Sequence, residues 1–213
     1  SVIKATSIDP SVVDADNVYR HTGRVRLFAS ERAAIRAIKS RGEDAVKPGE
    51  IVVMAGCGPA GTGMEETYQV TSALKHLPWG RHVPVLTDAR FSGVSTGACI
   101  GHIGPEALAG GPIGKLRDGD VVRIEIDRER LLGRIDFVGE DPQHVLTPAQ
   151  GADILARREM HPALAAHPRL PADTRLWAAL QEVGGGAWAG CVYDVDRIVE
   201  TLRAGLDALA QRR

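Results

Sequence analysis

Residues 51–63 read IVVMAGCGPAGTG, and residues 83–104 read VPVLTDARFSGVSTGACIGHIG. Each stretch begins with a short apolar run of strand length, which is typical of a buried strand. Each run is followed at once by a glycine-rich loop, where the backbone can approach a ligand closely and adopt unusual dihedral angles. Open α/β sheets tend to place ligands at such strand ends. The two stretches therefore predict a fold containing both strands and helices, with a candidate site at these two loops.

The segments on either side of these loops predict further strands and helices. Hydrophobic alternation predicts strands at residues 2–6, 23–28, 121–127 and 131–138. Helical spacing and capping residues predict helices at residues 30–40, 64–77, 105–109, 148–158 and 193–211. The pattern indicates a strand-rich core of residues 1–140, followed by a helical, partly extended appendage of residues 141–213 that packs on the same domain.

Composition narrows the class of protein. The chain has 213 residues, of which 44% are hydrophobic and 25% are charged, as in ordinary globular proteins. A net charge of -1 offers no electrostatic basis for binding nucleic acid or an anionic membrane. No apolar run approaches the ~20 residues that a membrane helix needs. The first residue is not Met and no CxxC pair is present, so we expect part of a longer, cytoplasmic chain.

Acidic residues follow the first glycine-rich loop. Glu65 and Glu66 stand where the spacing predicts the first turn of a helix. A carboxylate there can complement the helix dipole, bind a metal ion or act as an acid or base. The loop is not a phosphate-binding loop of the GxxxxGK(S/T) type, and its GxG element is too common to identify a site.

The second loop places polar side chains between small residues. Ser92, followed by Gly93, is either an exposed nucleophile or base, or an ordinary turn residue. The surrounding residues do not form the G-x-S-x-G elbow, because residue 90 is Arg and residue 94 is Val. His102 is either a catalytic group or a structural hydrogen-bonding residue.

The three cysteines lie far apart in the sequence. Cys57, Cys99 and Cys191 are separated by spacings that match no compact iron–sulfur motif. We therefore interpret each one as a buried, inert thiol.

Three strings in the chain resemble a known family when they are taken together. GPAGTGMEE (58–66), LTDARFSGVSTGACIGHIGPEALAGGPIG (86–114) and RDGDVVRIEID (117–127) are similar in order and spacing to the C-terminal part of the dihydroxy-acid and 6-phosphogluconate dehydratase family. The later string GGGAWAGCVYDVDRIVE (184–200) is similar to the sugar-acid branch of that family, in particular to bacterial D-xylonate dehydratases.

The resemblance implies an activity and cofactors. The family removes water from 2,3-dihydroxy carboxylic acids to give 2-keto acids, using Mg²⁺ and an iron–sulfur cluster. By motif position, Ser92 is the base and Glu66, rather than Glu65, is a Mg²⁺ ligand. Gly93 lets the substrate approach, and Arg90 either steers the substrate carboxylate or forms a structural salt bridge. The cluster ligands belong to an N-terminal part that this chain lacks, so Cys57, Cys99 and Cys191 are not assigned to the cluster.

The resemblance also implies a fold and partners. The expected fold is a β-barrel-like domain of the swivelling β/β/α type with flanking helices. The expected partners are a sugar-acid substrate, the N-terminal domain of the same enzyme and further copies of the chain in a homo-oligomer. We expect the chain to be inactive alone.

Other functions remain open from the sequence. A dihydroxy-acid dehydratase of branched-chain amino-acid synthesis and a phosphogluconate dehydratase share the same motifs. A small subunit of a two-chain hydro-lyase would share them too. A module of the same scaffold that binds small acids without catalysis would differ in one respect, because removing the Ser92 hydroxyl would not change any turnover.

Overall fold

The structure is a computed structural model, and it describes residues 1–212 of the chain. Within that range seven strands form one sheet in the order β1-β5-β4-β3-β2-β6-β7, which curls into a half-barrel. The strands are β1 (Val2–Ile3), β2 (Val18–Phe28), β3 (Ile51–Met54), β4 (Val85–Thr87), β5 (Cys99–Gly101), β6 (Val121–Asp127) and β7 (Leu132–Gly139). The predicted α/β fold with a barrel-like sheet is therefore confirmed.

Six α-helices flank the sheet in the same range of residues. They are α1 (Glu31–Lys39), α2 (Pro59–Thr62), α3 (Tyr68–Lys75), α4 (Pro148–Arg157), α5 (Ala172–Val183) and α6 (Val195–Ala210). The helix predicted at residues 105–109 is a shorter 3-10 turn, Ala107–Ala109. None of these helices is long and apolar enough to cross a membrane.

Strand β2 joins the two halves of the sheet. Its second half, Val25–Phe28, pairs in parallel with β3, and its first half, Val18–Arg24, pairs antiparallel with β6. The strand is longer than the predicted segment 23–28, because antiparallel pairing with β6 continues back to Val18. The parallel strands β2 to β5 and the antiparallel hairpin β6–β7 thus share one continuous sheet.

The sheet is covered on both faces, as the continuous apolar run of β3 predicts. Side chains alternate along β3, so that Val52 and Met54 join a cluster with α1 and α3. Ile51 and Val53 point to the opposite face and join the larger core inside the half-barrel. Burial on both faces holds β3 in place, and β3 carries one of the two glycine-rich loops.

Helix α4 packs against the β6–β7 hairpin. It begins with a capping box at Thr147 and packs on β7, with Leu155 buried in the core. Just after the helix, Arg158 pairs with the buried carboxylate of Asp120 at 2.5 Å and with Glu140 at 2.8 Å. These contacts tie the segment after β7 to the turn that precedes β6.

Candidate functional site

The two glycine-rich loops leave the same edge of the sheet. Strands β3 and β4 run parallel, with Met54 opposite Thr87 at their last residues. Their carboxyl ends therefore lie side by side, and the loops that follow begin next to each other. This edge is the position at which open parallel sheets place ligands.

The loops are joined by the backbone around Arg90 and Glu66. These two residues form an isolated parallel bridge. The backbone N–H and the hydroxyl of Thr67 both donate to the Arg90 carbonyl at 3.0 Å. Arg90 Nε donates in turn to the Met64 carbonyl at 3.0 Å. The structure thus places Glu66 and Arg90, two of the predicted site residues, on neighbouring backbone segments.

Arg90 is exposed, and its guanidinium has room for a ligand. Within residues 1–212 its Nε alone makes a hydrogen bond, the one to the Met64 carbonyl. Among residues 1–212 no carboxylate forms a salt bridge with Arg90, so the structural salt bridge considered from the sequence is not formed there. The two terminal nitrogens can donate a pair of parallel hydrogen bonds to a carboxylate.

Ser92 lies at the start of a tight turn in the second loop. It is half-buried, and its Oγ accepts a hydrogen bond from the Val94 N–H at 3.4 Å. Its carbonyl accepts from the Ser95 N–H at 3.1 Å. Gly93 is exposed, and a side chain there would meet no atom within 4 Å. The space beside Ser92 is therefore open to a small molecule.

Lys4 is a residue of this region that the sequence reasoning missed. Its Nζ donates to the carbonyls of Gly93 at 2.7 Å and Ser95 at 2.6 Å, and it lies 3.5 Å from the Ser92 carbonyl. The ammonium group thus holds the turn that carries Ser92 and places a positive charge beside it. No sequence signal identifies Lys4, because it stands 88 residues from Ser92 in the chain.

Replacing Lys4 by methionine is expected to loosen this turn. The substitution removes hydrogen bonds from a charged donor while keeping the apolar stem of the side chain. We expect the amides of Ser95 and Gly97 to exchange with solvent about 10-fold faster or more, measured by hydrogen–deuterium exchange. Lys47→Met is the matched control, because Lys47 is exposed and its side chain bonds to no residue in 1–212. Unchanged exchange in Lys4→Met would contradict the assignment.

Asp88 is a second missed residue, and it lies beneath the loops. It is 1% exposed, and its carboxylate accepts from the backbone N–H groups of Gly56 (3.0 Å), Cys57 (2.9 Å) and Ala107 (3.0 Å). Burial raises the pKa of Asp88, while the three amide donors oppose that shift. Asp88 therefore connects both glycine-rich loops to the 3-10 turn that follows β5.

Glu106 lies next to Asp88 and ties down the short helix α2. Both oxygens of its carboxylate accept from the Ala60 N–H, at 3.0 and 3.1 Å. Burial raises the pKa of Glu106 to about 7, and the nearby charge of Asp88 adds to the effect. The two carboxylates line a cavity of about 230 Å³ together with residues of α5 and the turn that follows it.

The prediction that Glu65 and Glu66 lie in the first turn of a helix is wrong. Gly63 and Met64 both have positive φ, at 75° and 62°, and this interrupts the helical path before α3 begins at Tyr68. The carboxylate at the start of α3 belongs instead to Glu31 of α1, which accepts from the N–H groups of Gln69 (2.8 Å) and Val70 (3.2 Å). Glu66 is left exposed, and its carboxylate makes no hydrogen bond within residues 1–212.

Two of the three cysteines are buried, as predicted. Burial raises the pKa of both Cys57 and Cys99 to about 12, so these thiols stay protonated at neutral pH. Cys191 is only half-buried, because it lies in the turn that precedes α6. The expectation of burial is therefore wrong for this residue. His102 is half-buried, and burial lowers the pKa of its imidazole. Its backbone N–H donates to the Ala89 carbonyl at 2.8 Å.

Comparison with known proteins identifies the family. The model for the C-terminal part of the dihydroxy-acid/6-phosphogluconate dehydratases matches residues 1–159. D-xylonate dehydratase YagF of Escherichia coli is 62% identical over 209 residues, which are 98% of this chain and 31% of that protein. D-xylonate dehydratase YjhG of Escherichia coli is 57% identical over 204 residues, which are 95% of this chain and 31% of that protein.

More distant relatives match a smaller part of the chain. Dihydroxy-acid dehydratase 2 of Bordetella bronchiseptica is 45% identical over 113 residues, which are 53% of this chain and 19% of that protein. The chain spans less than a third of the length of these curated relatives. The chain therefore belongs to the dihydroxy-acid/6-phosphogluconate dehydratase family, whose C-terminal part it matches.

Proposed function

We propose that this chain is the C-terminal catalytic part of a hydro-lyase that dehydrates a sugar acid, D-xylonate or a related aldonate, to a 2-keto-3-deoxy acid. The proposal rests on how much of this chain each known protein and the family model match. The two D-xylonate dehydratases match 95–98% of the chain, whereas the family model ends at residue 159. The Bordetella dihydroxy-acid dehydratase matches only 53% of it. The segment after residue 159 therefore favours the sugar-acid branch over branched-chain or phosphorylated substrates.

We assign the proton transfer to Ser92 and substrate binding to Arg90 and Gly93. Ser92 would remove the proton from carbon 2 of the substrate, the hydroxyl on carbon 3 would leave as water, and the resulting enol would become the 2-keto acid. The ammonium of Lys4, 3.5 Å from the Ser92 carbonyl, favours the negatively charged form of the serine. The free guanidinium nitrogens of Arg90 would hold the substrate carboxylate, and the open space at Gly93 would admit the substrate.

Mg²⁺ fits the residues present at this edge of the sheet. The Glu66 carboxylate is an exposed hard oxygen donor with no partner in residues 1–212, and its backbone lies beside that of Arg90. Glu66 would supply one ligand, and further oxygen ligands would come from another part of the enzyme. When bound, the cation would neutralise the charge that develops on the substrate as the proton leaves.

An iron–sulfur cluster does not fit the cysteines of this chain. A cluster requires several cysteine thiolates gathered at one place, and Cys57 and Cys99 are each enclosed in the apolar core. No group of three or more His, Cys, Asp or Glu side chains in residues 1–212 is placed to hold a metal ion. The cluster ligands therefore belong to the N-terminal domain in our proposal, and no role at the cluster is assigned to these residues.

The proposal also covers the organisation of the whole enzyme. Residues 1–140 would form the barrel-like catalytic unit, and residues 141–213 would form the appendage packed on it. The active site would be completed by the N-terminal domain within a homo-oligomer. Three free cysteines in the chain support a reducing compartment, the cytoplasm.

A 2-keto-acid assay tests the proposal on the enzyme that contains this chain, purified without oxygen. The panel is D-xylonate, other aldonates, 6-phosphogluconate and 2,3-dihydroxyisovalerate. We expect kcat/KM to be about 10-fold or more higher for a sugar acid than for the branched dihydroxy acid, because specificity for substrate hydroxyl groups is large when they are hydrogen-bonded. Equal or higher activity on 2,3-dihydroxyisovalerate would overturn the substrate assignment.

The same assay with the variant Glu66→Gln tests whether Glu66 is a Mg²⁺ ligand. We expect it to lower activity at limiting Mg²⁺ and to raise the Mg²⁺ concentration needed for half-maximal activity by about 10-fold or more. Glu65→Gln is the matched control, because Glu65 is the neighbouring exposed carboxylate. The same Mg²⁺ requirement in both variants would remove Glu66 from the proposed site.

A further inference from the structure

A cavity of about 230 Å³ lies between the first glycine-rich loop and the end of α5. Pro59, Asp88 and Glu106 line it on one side, and residues between 181 and 187 line it on the other. This volume is enough for a small ion together with water molecules. None of the four residues assigned to the dehydration lines this cavity, so it is separate from the proposed active site.

Gln181 lines the cavity without a hydrogen-bond partner for its amide oxygen. The residue is 4% exposed, and its Oε1 accepts no hydrogen bond within residues 1–212. A buried acceptor that is left unpaired is unfavourable, and in a folded protein such an atom can mark the binding of a water molecule or an ion. Gln181 therefore points to a donor or a cation inside the cavity.

The Glu106 carboxylate supplies a fixed negative charge to the same cavity. Both of its oxygens accept from the Ala60 N–H, at 3.0 and 3.1 Å. Gly58 lies against the carboxylate, and a Cβ at that position would overlap it. The carboxylate is thus held between the backbone of α2 and the residue before it. These contacts leave lone pairs of both oxygens free to bind a cation.

The charges that face the cavity favour a monovalent cation. The Asp88 carboxylate is already matched by three backbone N–H groups, and Glu182 is exposed, so that water screens its charge. No Lys, Arg or His side chain of residues 1–212 lines the cavity. Glu106 therefore presents one uncompensated negative charge, and its burial raises its pKa to about 7. One such charge balances K⁺ or NH₄⁺ but leaves a divalent ion with an excess of positive charge.

We propose that this cavity binds a monovalent cation of the size of K⁺ or NH₄⁺, held by the Glu106 carboxylate and the amide oxygen of Gln181. Carbonyl-type oxygens replace the water around K⁺ in proteins, and NH₄⁺ donates hydrogen bonds to the same atoms. Water molecules in the cavity complete the contacts of the cation. The proposal does not depend on the dehydration, because the two sites share no residue.

The cation would join the appendage to the first glycine-rich loop. Gln181 belongs to α5, whereas Glu106 binds α2 through the Ala60 N–H. Helices α2 and α5 pack against each other, and the cavity lies where they meet. A cation that binds groups on both sides stabilises the folded chain, because the unfolded chain does not bring these groups together.

Thermal unfolding of the 213-residue chain at pH 8, where Glu106 is charged, tests the proposal. Chlorides of K⁺, NH₄⁺, Na⁺, Mg²⁺ and choline are compared at one ionic strength. We expect K⁺ or NH₄⁺ to raise Tm saturably above its value in choline, by about 3 °C or more at about ten times Kd. The same Tm in all salts would mean that water alone fills the cavity, and it would overturn the proposal. A larger effect of Mg²⁺ would also overturn it.

Two substitutions locate the effect. Glu106→Gln keeps an acceptor for the Ala60 N–H but removes the charge, and Gln181→Met removes the amide oxygen at similar volume. Each should weaken the K⁺ response about 10-fold or more in concentration. Glu159→Gln is the matched control, because Glu159 is an exposed carboxylate away from the cavity. A parent-like K⁺ response in Glu106→Gln would place the cation elsewhere and overturn the proposal.

A diffraction experiment locates the cation directly in the enzyme that contains this chain. Rb⁺ replaces K⁺ in proteins and is identified by its anomalous X-ray scattering. In crystals soaked in RbCl we expect an anomalous peak in contact with the Glu106 carboxylate and with the Gln181 amide oxygen. Density for water alone at this position, without an anomalous peak, would overturn the proposal even if the isolated chain did not fold.

Discussion

Ser92→Ala is expected to reduce kcat on the sugar acid by about 10³-fold, in the enzyme that contains this chain. The substitution removes the hydroxyl at the start of the turn that Lys4 holds, next to the open space at Gly93. KM should change little, because in our proposal the serine moves a proton and the substrate carboxylate binds elsewhere. The measurement is steady-state production of the 2-keto acid, compared with the parent enzyme.

Ser95→Ala is the matched control for this prediction. Ser95 lies in the same turn, and its Oγ is buried without a hydrogen-bond partner in residues 1–212. Removing that hydroxyl leaves no donor or acceptor unpaired, so the turn should keep its shape. We expect the activity of Ser95→Ala to stay within about 3-fold of the parent enzyme. An active Ser92→Ala enzyme would show that another group removes the proton, and it would favour the binding-module function.

Asp88→Ala is expected to lower the free energy of unfolding by about 3 to 5 kcal/mol, as the sum of several unpaired groups. The substitution leaves the N–H groups of Gly56, Cys57 and Ala107 without an acceptor in the core. It also leaves a cavity at a position that is 1% exposed. Chemical denaturation of the chain measures the change.

Asp153→Ala is the control for the loss of an aspartate. Asp153 lies exposed on α4 and makes no hydrogen bond from its side chain within residues 1–212. Its replacement should change the free energy of unfolding by less than about 0.5 kcal/mol. A similarly small effect for Asp88→Ala would mean that the three amides find other acceptors, and that Asp88 does not hold the loops together.

Local patterns predicted the elements whose stability depends on their own residues. The capped helix at Ser30, the apolar strand at residues 51–54 and the alternating strand at residues 121–127 lie where the sequence predicts them. In the helix and in the alternating strand the side-chain period matches one element type, and the apolar run at residues 51–54 is too short for a helix. The motif resemblance added the family, which the comparisons confirm.

Predictions failed where distant parts of the chain decide the backbone. Strand β2 begins five residues earlier than predicted, because β6 supplies the hydrogen bonds for Val18–Thr22. The helix predicted from residue 64 starts only at Tyr68, since Met64 adopts a positive φ that is unusual for a residue with a side chain. Helix α5 was not predicted, and it packs on α2, which belongs to the first glycine-rich loop.

The sequence by itself determined the α/β class and the two glycine-rich loops after buried strands, and the resemblance to the family singled out Ser92, Arg90, Gly93 and Glu66 as candidate residues. These features depend on residues close together in the chain, where periodicity and motif spacing can be recognised. Only the tertiary structure decided that Glu66 lies beside Arg90, that Lys4 holds the Ser92 turn, and that Asp88 joins three loop ends. Each of these contacts joins residues that lie 19 to 91 positions apart in the chain. Such contacts form only when the sheet has brought the segments together, so no local pattern records them.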